Sequence, residues 1–207
     1  MSHSASSRSG PSNSRARRSD ARATEARERL LAATLRCAQH EGGGAVSLQS
    51  IAAEASVSKA LVLYHYHGKE ALLAATIRWL TDRVLRREGE ALSQSTAATV
   101  MEDYWRWLGG EIENGELRVL IEFTQERGDA TRQALEESAL HRQAAGEKTV
   151  ARVFQLLDLS PRLPPAMLAS CELAFRDGLV LWAARQPNRN ARVAFDVFWL
   201  SLLSLAR

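Results

Sequence analysis

Apolar positions in this chain recur every three or four residues, the spacing that gathers them on one face of an α-helix. In ATEARERLLAATLRCAQHEGGG, Leu30, Leu31, Thr34, Leu35 and Ala38 share one side, and Gly42-Gly43-Gly44 ends the element. VSLQSIAAEASVSK then predicts a short helix from an N-capping Ser47 to Ala55 and a turn at Ser56-Val57. Ser58 caps a further helix to about His65. Gly68-Lys69 breaks the chain before a long element in which Leu73, Ile77, Leu80 and Val84 keep helical spacing. The pattern continues through Val100, Tyr104, Trp107 and Leu108, then through LRVLIEFTQERG and a long segment from Thr131 to Leu159. Pro161, Pro164 and Pro165 open the next helix, and Pro187, Asn188 and Asn190 separate it from a last one. No strand pair or internal repeat interrupts the series, so the chain is predicted to be all-α, with about nine helices. MSHSASSRSGPSNSRARRSD has almost nothing apolar to bury, and residues 1–20 read as a disordered Ser/Arg-rich arm.

One stretch departs from this texture. VLYHYH, Val62 to His67, alternates like a strand, and on a strand His65 and His67 would share a face suited to a metal. Ser58 before it and Gly68-Lys69 after it make it the end of a helix, on which the two rings point nearly opposite ways. No third ligand lies nearby, so no metal or other cofactor is expected.

Composition changes little: 45% apolar residues suffice for a core, and 25% charged residues is ordinary. The longest apolar runs, near Leu179–Ala184 and Val197–Leu205, are too short or interrupted to span a bilayer, so no membrane role is expected. The start of the chain lacks a signal peptide's apolar block, which makes the cytoplasm the expected compartment. Cys37 and Cys171 match no ligand spacing and read as reduced, buried small hydrophobes. Charge changes more. Residues 1–70 hold ten Lys and Arg against six Asp and Glu, whereas the remainder holds seventeen against eighteen. The positive excess lies in the first third, where an anionic partner would be met.

That first third also carries the most specific pattern. Three short helices, the last two joined by a tight turn, match a helix-turn-helix, whose second helix lies in the DNA major groove. Ile51, Ala52, Ala55, Val57, Val62 and Tyr66 supply its inner face. Ser47 and Ser58 sit where helix N-terminal amides can bind a phosphate oxygen. QSIAAEASVSKALVLYHYHGKEALL resembles the DNA-binding signature of the TetR family of transcriptional regulators, through Ile51, Ala52, Ala55, Val57, Ser58, Val62, Tyr66, Lys69 and Leu72. The resemblance covers about a quarter of the chain, and the rest agrees in length and helicity.

The resemblance implies residues 21–70 as the DNA-binding domain and 71–207 as a helical domain for ligand binding and dimerisation. It places Gln49 near a base, and opens the recognition helix with Lys59, Ala60 and Leu61, where Lys59 meets guanine and Leu61 a thymine methyl. Tyr64 and His65 fall at phosphate- or base-contacting positions, and Lys69 matches a phosphate-binding lysine. Three residues depart from the family pattern: Ser56 replaces the turn glycine, Leu63 a phosphate-contacting tyrosine, and Tyr66 a core phenylalanine, so the Tyr66 hydroxyl needs a partner.

Within the second domain, Tyr104, Trp105, Trp107, Phe123, His141 and Trp182 are candidate pocket residues, with Glu111, Glu122 or Arg176 as polar anchors. Phe175, Leu179, Phe198, Trp199 and Leu202 are candidates for an intermolecular four-helix contact between two copies. The implied function is a repressor that binds a palindromic operator in double-stranded DNA as a homodimer and is released by a small-molecule inducer. Two alternatives stand beside it: a DNA-binding regulator controlled by a protein partner or by no ligand, and an enzyme whose first helices mimic a helix-turn-helix. No nucleophile–base spacing, phosphate-binding glycine loop or metal motif supports the enzyme.

Overall fold

In the computed structural model of the protein, residues 12–42, 45–126, 128–186 and 188–206 are described, with side chains from Ala21 onward. They form nine α-helices: α1 Ser12–Glu41, α2 Leu48–Glu54, α3 Lys59–Tyr66, α4 Lys69–Leu92, α5 Val100–Asn114, α6 Glu116–Glu122, α7 Asp129–Leu156, α8 Pro165–Arg185 and α9 Ala191–Leu203. A 3-10 turn, Phe123–Gln125, extends α6. The all-α expectation holds, and α2, α3 and α4 start directly after Ser47, Ser58 and Gly68. α1 begins at Ser12, inside the segment expected to be a disordered arm, whose first eleven residues lie outside the described residues. Arg and Ala are strong helix formers, and lengthening an existing helix avoids the cost of nucleation. Polarity alone therefore does not stop the helix. Cys37 is buried as expected, whereas Cys171 is exposed on α8.

α4 is the axis of the fold. It packs against α1, α3, α5, α6 and α7, and Leu72, Leu73, Ile77, Leu80 and Val84 are fully enclosed along it. Its buried Thr76 and Thr81 hydroxyls donate to the carbonyls of Leu72 and Ile77, one turn back, so neither leaves an unpaired polar atom in the core. No helix among the described residues is long and apolar enough to cross a membrane.

α4 and α7 are joined side by side by a row of polar contacts. The Glu70 carboxylate accepts from the Ala130 amide at 2.6 Å, and Arg78 meets Glu137 at 2.6 Å. The Thr81 and Ser138 hydroxyls lie 2.6 Å apart, and Thr149 donates to Glu88 at 2.8 Å. Arg152 closes the row on the Leu92 carbonyl at 3.0 Å. The partners advance in the same direction on both helices, so the two run parallel. α7 has no capping side chain of its own, because its N-cap is Gly128. Glu70, in the first turn of α4, supplies the missing acceptor to the positive end of α7. A Cβ at Gly128 would lie 2.5 Å from the Glu70 carboxyl carbon, so the glycine leaves room for that contact.

Candidate functional site

The α2–α3 pair is held by caps at both ends. The Ser47 hydroxyl accepts from the Ser50 amide at 3.0 Å, while the Ser50 hydroxyl accepts from the Ser47 amide at 3.1 Å. This reciprocal box, with Ser where Glu or Gln is usual, was not anticipated from the sequence. Ser58 likewise accepts from the Leu61 amide at 3.2 Å, leaving its own O–H free to donate outward. Between the helices, Val57 donates to the Ala52 carbonyl at 2.9 Å and Ser56 to the Ala53 carbonyl at 3.0 Å. These two bonds form a Schellman closure, which requires a left-handed residue at Ser56; its φ is 55°. A residue with a Cβ is strained there by about 1–2 kcal/mol. Ser56→Gly is therefore expected to stabilise the protein by about 1 kcal/mol and raise the calorimetric midpoint by about 3 °C.

α1 braces this pair. Arg29 donates to the Ala55 carbonyl at 3.0 Å, and Arg36 pairs with Glu54 at 2.5 Å. Tyr66 is 5% exposed and donates to the Arg27 carbonyl at 3.3 Å, which supplies the partner its hydroxyl needs. Burial pushes the Tyr66 phenol above its ordinary range, so it stays a donor at neutral pH. His67 takes the left-handed conformation that ends α3, with φ of 58°, as its place in the turn suggests.

With the inner face committed, the outward residues of α3 are Lys59, Ala60, Leu61, Leu63 and Tyr64, the last 73% exposed. Gln49 on α2 is also exposed, and His65 and Lys69 are half-buried at the edge. The Tyr64 and His65 rings meet edge to face at 5.2 Å. A convex ridge of one cation, one phenol and small or apolar side chains, flanked by helix N-termini, has the chemistry of a major-groove reader.

The model of bacterial regulatory proteins of the TetR family matches residues 30–76, which span the end of α1 through the first part of α4. The N-terminal domain belongs to the TetR family. The HTH-type transcriptional regulator BetI of Yersinia pestis is 34% identical over 77 residues, 37% of this chain and 37% of that protein. The aligned region thus spans little more than a third of the curated relatives it matches. Among solved structures, a transcriptional regulator of Rhodococcus sp. RHA1 superimposes with a TM-score of 0.71 at 22% identity, covering 87% of this chain and 97% of that one. FadR of Bacillus subtilis, solved with stearoyl-CoA, superimposes at 0.66 and 14% identity, covering 86% and 97%. The TetR-family domain is thus followed by a helical domain of the fold those proteins share.

The candidate pocket residues of that second domain fall in different places. Tyr104 and Trp107 are buried and stacked at 5.4 Å, with Phe195 and Trp199 edge-on to Tyr104. Phe123 is fully buried after α6. His141 is exposed on the α4–α7 face, and Trp182, 38% exposed, lies on the outer side of α8. Trp105 is half-buried and lies against Phe195. Of the polar anchors, Glu111 is held by both arms of Arg87 at 2.6 and 2.8 Å, and Glu122 pairs with Arg118 at 2.9 Å. Arg176 is completely buried and touches Glu88 and Glu172. Neither Glu88 nor Glu172 was a sequence candidate, because on helices glutamates usually mark a solvated face.

The candidate dimer residues also divide. Leu179, Trp199 and Leu202 are 5% exposed or less and belong to the core of one copy. Phe175 and Phe198 stack on each other at 4.0 Å and are half-buried at the surface. The surface around them is apolar: Phe175, Trp182, Val193, Ala194, Val197 and Phe198 line a shallow groove between α8 and α9. Leu200, 70% exposed, continues it.

Proposed function

We propose that the protein is a DNA-binding transcriptional repressor that holds a palindromic operator as a homodimer and releases it on binding a small-molecule effector. The exposed ridge of α3, carrying Lys59 and Tyr64 on a doubly capped and braced frame, is the observation that carries this reading. Lys59, Ala60 and Leu61 address bases, while Ser47, Ser58 and Lys69 meet phosphates, with Gln49, Tyr64 and His65 alongside. The protein acts in the cytoplasm and performs no catalysis in this reading.

Selection of bound sites from random DNA tests it. The expected product is an inverted repeat whose half-sites are about 34–36 Å apart or a multiple of it. Recovery of no enriched site, or of a single half-site, would remove the repressor reading.

The outer face of α8 and α9 supports a two-fold contact. Large apolar side chains in water, contiguous across two helices, are what a self-complementary interface leaves on a separated copy. Trp182→Asp together with Val197→Asp is expected to give a monomer by light scattering, with an unchanged helical circular dichroism spectrum. A dimer that survives both substitutions would place the interface elsewhere.

Release follows from α4, which starts at Lys69 beside the DNA and is tied to α7 at Glu70, Arg78, Thr81 and Glu88. An effector that fits a separated α4–α7 pair better than the closed one shifts the population away from the operator-competent spacing. A 100-fold loss of affinity requires about 2.7 kcal/mol of coupling, and operator must weaken effector binding by the same factor.

A further inference from the structure

The polar row between α4 and α7 is interrupted between Ser138 and Thr149. Small residues, Gly89, Ala144 and Ala145, leave a groove of about 480 Å3 there, with Asp82, His141 and Lys148 along it. Glu88 and Thr149 line the same groove. Glu88 has two oxygens with two duties: one accepts from Thr149 at 2.8 Å, and the other accepts from Arg176 Nη1 at 3.2 Å. The groove therefore ends on a carboxylate that is also the outer partner of a buried arginine.

Behind Glu88 the hydrogen bonding is lopsided. Arg176 is 0% exposed, yet its Nε and Nη2 have no acceptor; Nε lies 3.7 Å from Glu172, beyond bonding range. Its guanidinium stands 5.3 Å from the centre of the Trp107 ring, and the buried Trp107 indole N–H is also unpartnered. Tyr104 donates to one Glu172 oxygen, and the other Glu172 oxygen is free. Burial raises the Glu172 carboxyl above its ordinary range despite Arg176. Several donor N–H groups in one buried cluster thus face, at most, one spare acceptor. Unpaired donors buried this way cost about 1–3 kcal/mol each, and they call for an acceptor from outside the chain. An oxyanion answers best, since charge-assisted bonds to a guanidinium are about twice as strong as neutral ones.

We propose that the effector is a small organic acid, whose carboxylate passes through the α4–α7 groove and is bound by the free N–H groups of Arg176 and Trp107. This identity rests on the reading of the protein as an effector-controlled regulator, and it supplies the chemistry of that effector. Lys148 at the groove offers an anion one cation, set against Asp82 and Glu88 on the same lining, and the apolar walls at Leu85, Ala144 and Ala145 suit the body of an organic acid. Competition of the ligand carboxylate with Glu88 for Arg176 would loosen the Glu88–Thr149 tie, one of those that hold α4 to α7.

Calorimetric titration of the full chain with acetate, octanoate and benzoate, beside benzyl alcohol and benzylamine, tests the proposal. At least one carboxylate is expected to bind, and the alcohol and amine are not. Trp107→Phe keeps an aromatic face, on a smaller ring, and removes the N–H, and is expected to weaken carboxylate binding about tenfold. Ala145→Leu fills the groove away from the buried cluster and is expected to abolish binding, whatever Trp107→Phe does to folding. Absence of binding by all three acids up to about 10 mM would overturn the proposal. So would alcohol or amine binding as tight as that of the acids, or acid binding unchanged in both variants, as when water alone fills the donors. Failure of the unliganded protein to bind DNA would count against the regulator reading and leave this site standing.

Discussion

Replacing Lys59 and Tyr64 together by alanine is expected to lower affinity for the selected operator about 100-fold without unfolding the protein. Both side chains project from α3 into solvent, Tyr64 with 73% of its surface exposed, and neither belongs to the inner face that holds α2 against α3. Surface substitutions of this kind usually change stability by less than about 0.5 kcal/mol. Each specific base contact is worth about 1–3 kcal/mol, so losing two costs about 2–6 kcal/mol, a range that contains the roughly 2.7 kcal/mol of a 100-fold change. The lysine contributes a charge as well. The slope of log affinity against log salt should therefore fall by about one counterion if it meets a phosphate, and base preference at one position should relax if it meets guanine. Gel-shift titrations at two salt concentrations distinguish these. Affinity unchanged in the double variant would mean that α3 is not the reading helix.

The second large effect is on stability. Arg176→Leu is expected to cost about 3–5 kcal/mol and to lower the thermal midpoint by on the order of 10 °C. Arg176 is fully buried between Glu88 and Glu172, themselves 2% exposed, and it is the only cation those two carboxylates share in the described hydrogen-bond and ion-pair contacts. Removing it leaves two acids with no countercharge in the bundle interior, and they must take up protons or draw in water. The variant should therefore recover part of its lost stability at low pH, where the orphaned carboxyls are neutral. Thermal melts at about pH 5 and pH 8 read this directly, and a midpoint that drops little at either pH would show that the cluster tolerates the loss.

The helix-turn-helix was legible because its signals are local. Ser47 and Ser58 announce helix starts, Gly68-Lys69 a restart, and the apolar spacing of Ile51, Ala52, Val62 and Tyr66 an inner face. Even the departure at Ser56 was readable, since the position demands a left-handed backbone that serine adopts with strain. The second domain resisted because its helices are apolar on more than one side. Nothing in the spacing of α8 told whether Trp182 or Leu179 would face inward; the fold buries Leu179 and exposes Trp182. Glu172 and Arg176 stand four apart on α8, but Glu88 and Thr149 come from α4 and α7, and no periodicity links the three helices. α1 runs back to Ser12, within the polar segment read as an arm, for another reason: a polar composition speaks to burial, not to backbone conformation.

The glycine at position 128 carries a consequence for genetics. Gly128 precedes α7, yet the space beside it is filled by Glu70, which adjoins Lys69 at the start of α4. Any side chain introduced there would eject Glu70 from the α7 terminus and disturb the start of α4, which follows the helix-turn-helix directly. A mutational screen scored on promoter output would group such an allele with lesions of the helix-turn-helix, although it lies in the other domain.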